Sequence, residues 1–439
     1  MHILYVVPYA PNPIRVRPYQ LIRGLLRRGH AVTVATLWSS PEERQDLAVL
    51  DAWGARVMAE PLPRWRAALN LVRALPGSRP LQAAYCWQPA LARRIRQLLD
   101  AESFDVIHVE HLRGAAYGLG AQAHLADRPG SPPVVWDSVD CIAYLFEQAA
   151  RHSRSIQGRL MTRLELGRTR RHEGVLLQRF DRTLVTSAAD QAALTALARE
   201  ANPRGIIRPP AIVANGVDLA HFTPGLPDQR APATVVFSGK MSYHANVTAA
   251  LFLVQEIMPR VWARHPHVQV QIVGAQPTAA VRALATGDPR VTVTGWVPDL
   301  RPYLQQATLA VAPVLYSAGI QNKVLEAMAC ATPVVTTPQA VAALQVDLAA
   351  EVAVAPDADG LAQAVVQLLE DPARRRQLGQ NGRAYVERCH SWTAAVSRLE
   401  VIYQESMAQP RPISPRPQER QLAVGAGRRA RPMVPDPDG

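Results

Sequence analysis

A lysine and a glutamate three residues apart, Lys323 and Glu326, follow the segment Gly319-Ile320-Gln321-Asn322. On a helix this spacing puts both side chains on one face. Gly319 leads into that helix, whose first free N–H groups and dipole favour a phosphate. A cation beside a diphosphate, with a carboxylate accepting two ribose hydroxyl hydrogen bonds, would together hold a nucleotide. Without such a ligand the pair reads as an i,i+3 surface ion pair worth about 0.2–0.5 kcal/mol. Lys240, after Gly239 at the end of a β-branched run, is a second cation placed for a phosphate; its plain alternative is a solvated loop charge. The two stand out by composition: of 48 Lys and Arg residues only Lys240 and Lys323 are lysine. A compact ammonium and a planar guanidinium are not interchangeable at a tight phosphate site.

These residues need a scaffold, and the hydrophobic pattern supplies one. Short β-branched runs alternate with amphipathic stretches, the pattern of βα units around parallel sheets. In the first half the strands are expected over 2–7, 31–37, 55–59, 105–110, 134–138 and 182–187. A helix over 18–28 carries Leu21, Leu25 and Leu26 and closes at Gly29. Pro and Gly crowd 202–232, which argues for a linker. A second series follows over 234–238, 268–273, 290–294, 308–312, 333–337 and 351–355. The fold class is therefore α/β, with two Rossmann-like lobes whose parallel sheets face a central cleft, where ligands of such folds bind. The expected division is a first lobe over 1–205, a linker over 206–232, a second lobe over 233–390, a helix over 391–408 and a Pro/Arg-rich disordered tail over 409–439. Ser391 is placed to cap that helix, with Trp392, Val396, Leu399 and Tyr403 on one stripe.

With 439 residues and 48% hydrophobic content, each lobe can bury its own core. No apolar run reaches eighteen residues and the first strand begins without a basic leader, so a cytoplasmic chain is expected. Cys86, Cys141, Cys330 and Cys389 have no metal-ligand spacing and read as reduced, packed thiols. A net charge of +12 points to an acidic partner. No nucleic-acid-binding motif is present, so phosphorylated small molecules and anionic lipid are favoured over nucleic acid. No Asp-x-Asp metal site is visible and no metal is expected.

The segment from Gly319 to Ala329, followed by Thr332-Pro333-Val334-Val335, resembles the donor-binding motif of family 4 (group 1) glycosyltransferases. The likeness extends to Asn215-Gly216-Val217-Asp218 with Phe222, to Gly239-Lys240, to Val273-Gly274 and to Gly295-Trp296-Val297-Pro298-Asp299, and covers roughly 1–408. The Gly319 to Lys323 variant and the stretch from Ser238 to Asn246 are most similar to sugar transferases that accompany exosortase-type (PEP-CTERM) sorting and exopolysaccharide systems. The resemblance implies a GT-B fold whose last helix crosses back to the first lobe, and retaining transfer from a UDP- or GDP-linked sugar to a glycan or lipid-linked acceptor. The nucleotide sugar is a co-substrate and no cofactor is implied. Lys240 takes the place of a family arginine that neutralises the departing diphosphate, and Lys323 replaces a charge lost at Asn246. Gly239, Gly274, Val297, Gly319, Ile320, Gln321, Asn322 and Glu326 fall to the donor. The family's first acid, separated from Glu326 by seven residues, is Ala318 here.

In the first lobe, Glu110 occupies the place of a family histidine and His111 is next. Either can act with the acceptor, and as strand neighbours they would point to opposite faces. Arg15 and Arg17, in the first βα turn, are placed to face an anionic acceptor or to be solvated. Two basic segments, 64–75 with Trp65, Leu69 and Val72 on one stripe and 151–171, are candidates for an anionic membrane surface. A solvated helix face is the alternative. Three rivals to the transferase are a GT-B epimerase acting on a nucleotide sugar, whose carboxylate and histidine set does not assemble here, a non-catalytic nucleotide-sugar-binding scaffold and an arginine-rich nucleic-acid binder.

Overall fold

The computed structural model describes residues 1–152, 156–226, 230–231, 233–316 and 320–408. Ala318, Gly319 and the expected tail over 409–439 lie outside them, as does part of the second basic segment. Two all-parallel sheets form. The first contains β1 (His2–Val7), β2 (Ala31–Trp38), β3 (Arg56–Pro61), β4 (Val106–Glu110), β5 (Val134–Val139), β6 (Arg182–Val185) and β7 (Ala211–Ile212), in the order β3-β2-β1-β4-β5-β6-β7. The second contains β8 (Thr234–Ser238), β9 (Gln269–Val273), β10 (Val291–Gly295), β11 (Leu309–Ala312), β12 (Val334–Thr336) and β13 (Ala353–Val354), in the order β10-β9-β8-β11-β12-β13. Each order reverses beside its first strand, at β1/β4 and at β8/β11. Those are the switch points where a crevice opens beyond the carboxyl ends of the strands.

Strands buried on both faces need apolar residues at successive positions, and the sequence supplies them. Along β1, Leu4 and Val6 enter the core on one side of the sheet while Ile3, Tyr5 and Val7 enter the other. Along β8, Val235 and Phe237 oppose Val236 in the same way. The twelve expected strands all form, with shifts at their ends. The thirteenth, β7, lies inside the segment expected to be linker: Ala211–Ile212 pairs with β6 at the sheet edge. Two residues are too few to show a period, and only the neighbouring strand makes them one.

The helices that bear on the site are α1 (Val16–Arg27), α2 (Arg64–Ala74), α3 (His111–His124), α4 (Ile142–His152), α5 (Ile156–Leu176), α6 (Ala188–Ala201), α7 (His244–Phe252), α8 (Asn322–Ala329) and α9 (Trp392–Ala408). Helix α9 is the return helix. Ser391 Oγ accepts the Ala394 N–H at 3.1 Å, and Trp392, Val396, Leu399 and Tyr403 are buried in the first lobe's core with Leu21, Ile22 and Leu25 of α1. Gly24 makes that packing possible, because a Cβ there would lie 2.4 Å from Val396 Cγ2. The chain thus passes between lobes twice, and the passages are tied: Val217 N–H donates to the His390 carbonyl at 2.9 Å and His390 Nδ1 bonds the Asn215 carbonyl at 2.9 Å. Across the lobes, Leu145 and Ala149 of α4 pack on Ala245 and Tyr316. No described helix is long and apolar enough to cross a membrane. Three cysteines are buried as expected, but Cys389 is exposed, because it falls on the outer face at the end of the helix before His390.

Candidate active site

The second-lobe wall is built from three strand ends that approach one another closely. Gly239 (φ 152°) follows β8 and Gly274 (φ 149°) follows β9, both in backbone conformations that L side chains rarely adopt. Gly239 N–H donates to the Val273 carbonyl at 3.0 Å, and Gly274 N–H to the Gly295 carbonyl at 3.1 Å. A Cβ on Gly274 would sit 1.8 Å from the Gly239 carbonyl oxygen. Gly274 therefore permits the close approach of the Gly239 backbone.

Helix α8 starts beside these glycines. It begins at Asn322 with Gln321 as its N-cap, and no side chain caps its first N–H groups. Ile320 is buried and Val297 is half-buried in the same apolar cluster as Val273 and Val324. Lys323 Nζ donates to Gln321 Oε1 at 3.0 Å, and its Cε lies 3.4 Å from the point where a Gly239 Cβ would be. Asn246 is buried in the same corner; its Nδ2 donates to the Lys240 carbonyl at 3.0 Å. Two polar atoms of the corner, Asn246 Oδ1 and Asn322 Oδ1, are buried without a hydrogen-bond partner among the described residues. Buried polar atoms left unpaired cost free energy, so such a pair of oxygens marks a place shaped for something else to bind.

Lys323 and Glu326 do share a face, but they are not a surface ion pair: both are half-buried and they close no contact within 4.0 Å among the described residues. Burial lowers Lys323 to about 8, partly offset by Glu326, and burial raises Glu326 to about 7, partly offset by Lys323. Each charged form is short of solvation, which a ligand with complementary groups would relieve. Lys240 is exposed on the loop that leads to α7.

The first-lobe wall is sealed. Arg17 is 5% exposed; its guanidinium contacts Asp137 at 2.8 Å and donates to the Val213 carbonyl and Asn215 Oδ1 at 2.9 and 2.8 Å. It braces the passage between lobes and does not face an acceptor. Arg15 is spent on Glu43 at 2.8 Å and on the Ala10 carbonyl, and lies over the Tyr9 ring. Glu110 is 1% exposed and accepts from the Tyr5 and Tyr9 hydroxyls at 2.8 and 2.7 Å. Burial, reinforced by Asp137, pushes Glu110 up to about 7. His108 bonds Tyr403 of α9 at 2.8 Å.

Glu110 and His111 are not strand neighbours on opposite faces. The strand ends at Glu110, and His111 opens α3 with φ 64°. Its carbonyl accepts the Trp136 indole N–H at 3.3 Å, and its ring is half-buried, with burial followed by Arg113 lowering it to about 3. A neutral imidazole on a left-handed backbone at a switch point is strain of the kind functional sites hold. The sequence reading passed over Tyr9 and the acidic run Asp137-Ser138-Val139-Asp140. The available signal was two acids directly after a β-branched run that ends at the cleft.

Comparison with known proteins agrees with this arrangement. Residues 14–210 match the family model described as glycosyl transferase 4-like domain, and 232–371 match glycosyl transferases group 1. A GDP-mannose-dependent monoacylated alpha-(1-6)-phosphatidylinositol monomannoside mannosyltransferase of Corynebacterium glutamicum is 31% identical over 209 residues, which is 43% of this chain and 55% of that protein. The chain thus matches about half the length of that curated relative. Sucrose-phosphate synthase from Thermosynechococcus elongatus superposes with a TM-score of 0.67 at 20% identity, over 92% of this chain and 98% of that one. Anabaena HepE, solved in complex with UDP and glucose, gives a TM-score of 0.65 at 15% identity over 92% and 100%. These likenesses fix the fold as GT-B. One family model thus falls on each lobe, and the chain is similar to group 1 glycosyl transferases in its second lobe and to the glycosyl transferase 4-like domain in its first.

Proposed function

We propose that the protein transfers a sugar from a UDP- or GDP-linked donor to a glycan or lipid-linked acceptor, with retention and without a metal, in the synthesis of cell-surface polysaccharide such as exopolysaccharide. The observation that carries this reading is the pairing of Lys323 with Glu326 at the start of α8, beside the Gly239 strand end and two unpaired buried oxygens. In this reading Glu326 accepts the ribose hydroxyls, while Lys323, Lys240 and the α8 N–H groups hold the diphosphate. As the acceptor oxygen bonds the anomeric carbon, the bond from that carbon to the phosphate oxygen breaks. Its electron pair moves onto the diphosphate, which takes up the acceptor's proton. Preorganised donors aimed at that growing charge stabilise the transition state. The GDP-mannose in the relative's name and the UDP bound to HepE support a nucleotide-diphosphate donor.

Turnover of UDP-glucose and GDP-mannose by the purified chain, with and without EDTA, tests the reading. Turnover that survives EDTA is expected. Loss restored by Mg²⁺ would overturn the metal-free mechanism, and binding without turnover would identify a scaffold.

A membrane role has its own observation. Helix α2 leaves Trp65 62% and Val72 61% exposed, with Leu75 just beyond its end and Arg64 and Arg73 alongside. An exposed apolar stripe flanked by arginines fits an anionic lipid surface at the inner face of the cell membrane. Sedimentation with liposomes should show binding that needs anionic lipid and weakens with salt; equal binding to neutral liposomes would rule it out.

A further inference from the structure

At the end of β5 the chain makes a turn that the surrounding structure holds in place at some cost. Val139, a β-branched residue, has φ 68°, a conformation that costs about 1–3 kcal/mol and persists only where neighbours over-determine it. Here they do. The Val139 carbonyl accepts the Thr186 N–H at 2.9 Å, and Cys141 N–H donates to buried Asp190 of α6 at 2.9 Å. Ile142 and Ala143 N–H both donate to buried Glu173 of α5 at 2.9 Å. Glu173 thereby takes up two of the N–H groups that open α4.

The residue this turn presents is Asp140. Its Oδ1 accepts from Thr186 Oγ1 at 3.1 Å; its Oδ2 has no partner among the described residues, and the side chain is half-buried rather than sealed. It lies within electrostatic reach of Tyr243, which belongs to the second lobe and follows Lys240 by three residues. Asp140 therefore stands where the carboxyl ends of the two sheets meet, opposite the loop that carries the exposed lysine. Burial, then Asp190, raises it to about 7. The two arginines expected on this wall are consumed elsewhere, Arg17 by Asp137 and Arg15 by Glu43.

We propose that Asp140 is an acceptor-binding residue, its free Oδ2 receiving a hydrogen bond from a neutral sugar hydroxyl of the acceptor. Thr186 is the positioning residue that fixes the carboxylate's rotation. The proposal rests on the transferase reading above, and its test separates the two. Donor dissociation constants are measured for UDP-glucose and GDP-mannose, and then turnover is followed with octyl α-mannoside and octyl β-glucoside as added acceptors, for the full chain, Asp140→Asn and Thr186→Val. Asp140→Asn should keep the donor dissociation constant within about twofold and lose at least about tenfold in kcat/KM for the glycoside; one lost charge-assisted hydrogen bond accounts for that size. Thr186→Val should lose about threefold, by raising the glycoside KM. If neither glycoside is turned over, the comparison is made on the affinity of the UDP-bound chain for each glycoside, and equal affinities for wild type and Asp140→Asn, or no binding by wild type, overturn the proposal. Equal rates for wild type and Asp140→Asn overturn the proposal, as does weakened donor binding in Asp140→Asn, which would make the residue structural. A wild-type chain that neither binds nor turns over either nucleotide sugar overturns the transferase reading itself.

Discussion

The two walls of the site treat their charges in opposite ways. In the first lobe, Arg17, Asp137 and Glu110 are 5%, 0% and 1% exposed and are spent on one another, on Tyr5 and Tyr9, and on the Asn215 passage between lobes. In the second lobe, Lys240 is exposed, and Lys323 and Glu326 feel each other's charge without closing an ion pair. A charge satisfied inside the protein has little left to offer a ligand, whereas one that is only partly solvated gains when a ligand completes it. The Arg17, Asp137 and Glu110 charges therefore hold architecture, and charge in the second lobe is available for the donor.

Breaking Arg17 should produce the largest effect and should be an effect on stability. Arg17→Met strands Asp137 in the core and should cost about 3–5 kcal/mol in denaturant unfolding, as removing one partner of a buried pair does. A loss under 1 kcal/mol would mean the first-lobe network is not structural.

The next test uses pH. The folded-state value of Glu110 is raised from its ordinary 4.5 to about 7, so between those values the folded chain holds a proton that the unfolded chain has released. Its contribution to stability therefore falls as pH rises from about 4.5 to 7, and the cost stays in place above that. Glu110→Gln does not titrate, and its stability relative to wild type should climb across that window by on the order of 3 kcal/mol. Denaturation at pH 5 and pH 8 measures this; a difference that does not change with pH would remove Glu110 from the buried network.

The second lobe should respond in function instead. Lys323 is crowded against Gly239, so Lys323→Arg should lower turnover on the order of a hundredfold by misplacing the leaving group. Lys240 is exposed, so Lys240→Arg should cost less. Steady-state kinetics that show wild-type rates for both would make the two lysines accidents of composition. Glu326→Ala removes a charge-assisted hydrogen bond of about 1.5–3 kcal/mol and should weaken donor binding roughly 10- to 150-fold without loss of stability. Unchanged donor affinity would remove the ribose assignment.

The sequence by itself determined the two-lobed fold, because strands buried on both faces must be apolar at every position and this pattern needs no knowledge of neighbours. It also determined the return helix, whose stripe of Trp392, Val396, Leu399 and Tyr403 is local and periodic, and the shared face of Lys323 and Glu326, which follows from helical spacing alone. Tertiary structure decided what the sequence left open. Arg15 and Arg17 read alike in a loop, yet their partners Glu43 and Asp137 lie 28 and 120 residues away, and only folding brings them together. At Gly274 the sequence shows a glycine after a strand, and only the fold shows the Gly239 carbonyl that a Cβ there would meet. His111 reads as the next residue of a strand until its φ of 64° turns it into the first residue of a helix. Asp140 carries only the faint local mark of an acid after a β-branched run: its position comes from Thr186, Asp190 and Glu173 and from Tyr243 in the other lobe. Periodicity records which side of an element is buried, whereas the partner of a charge is set by contacts distant in sequence, and those exist only once the lobes have packed.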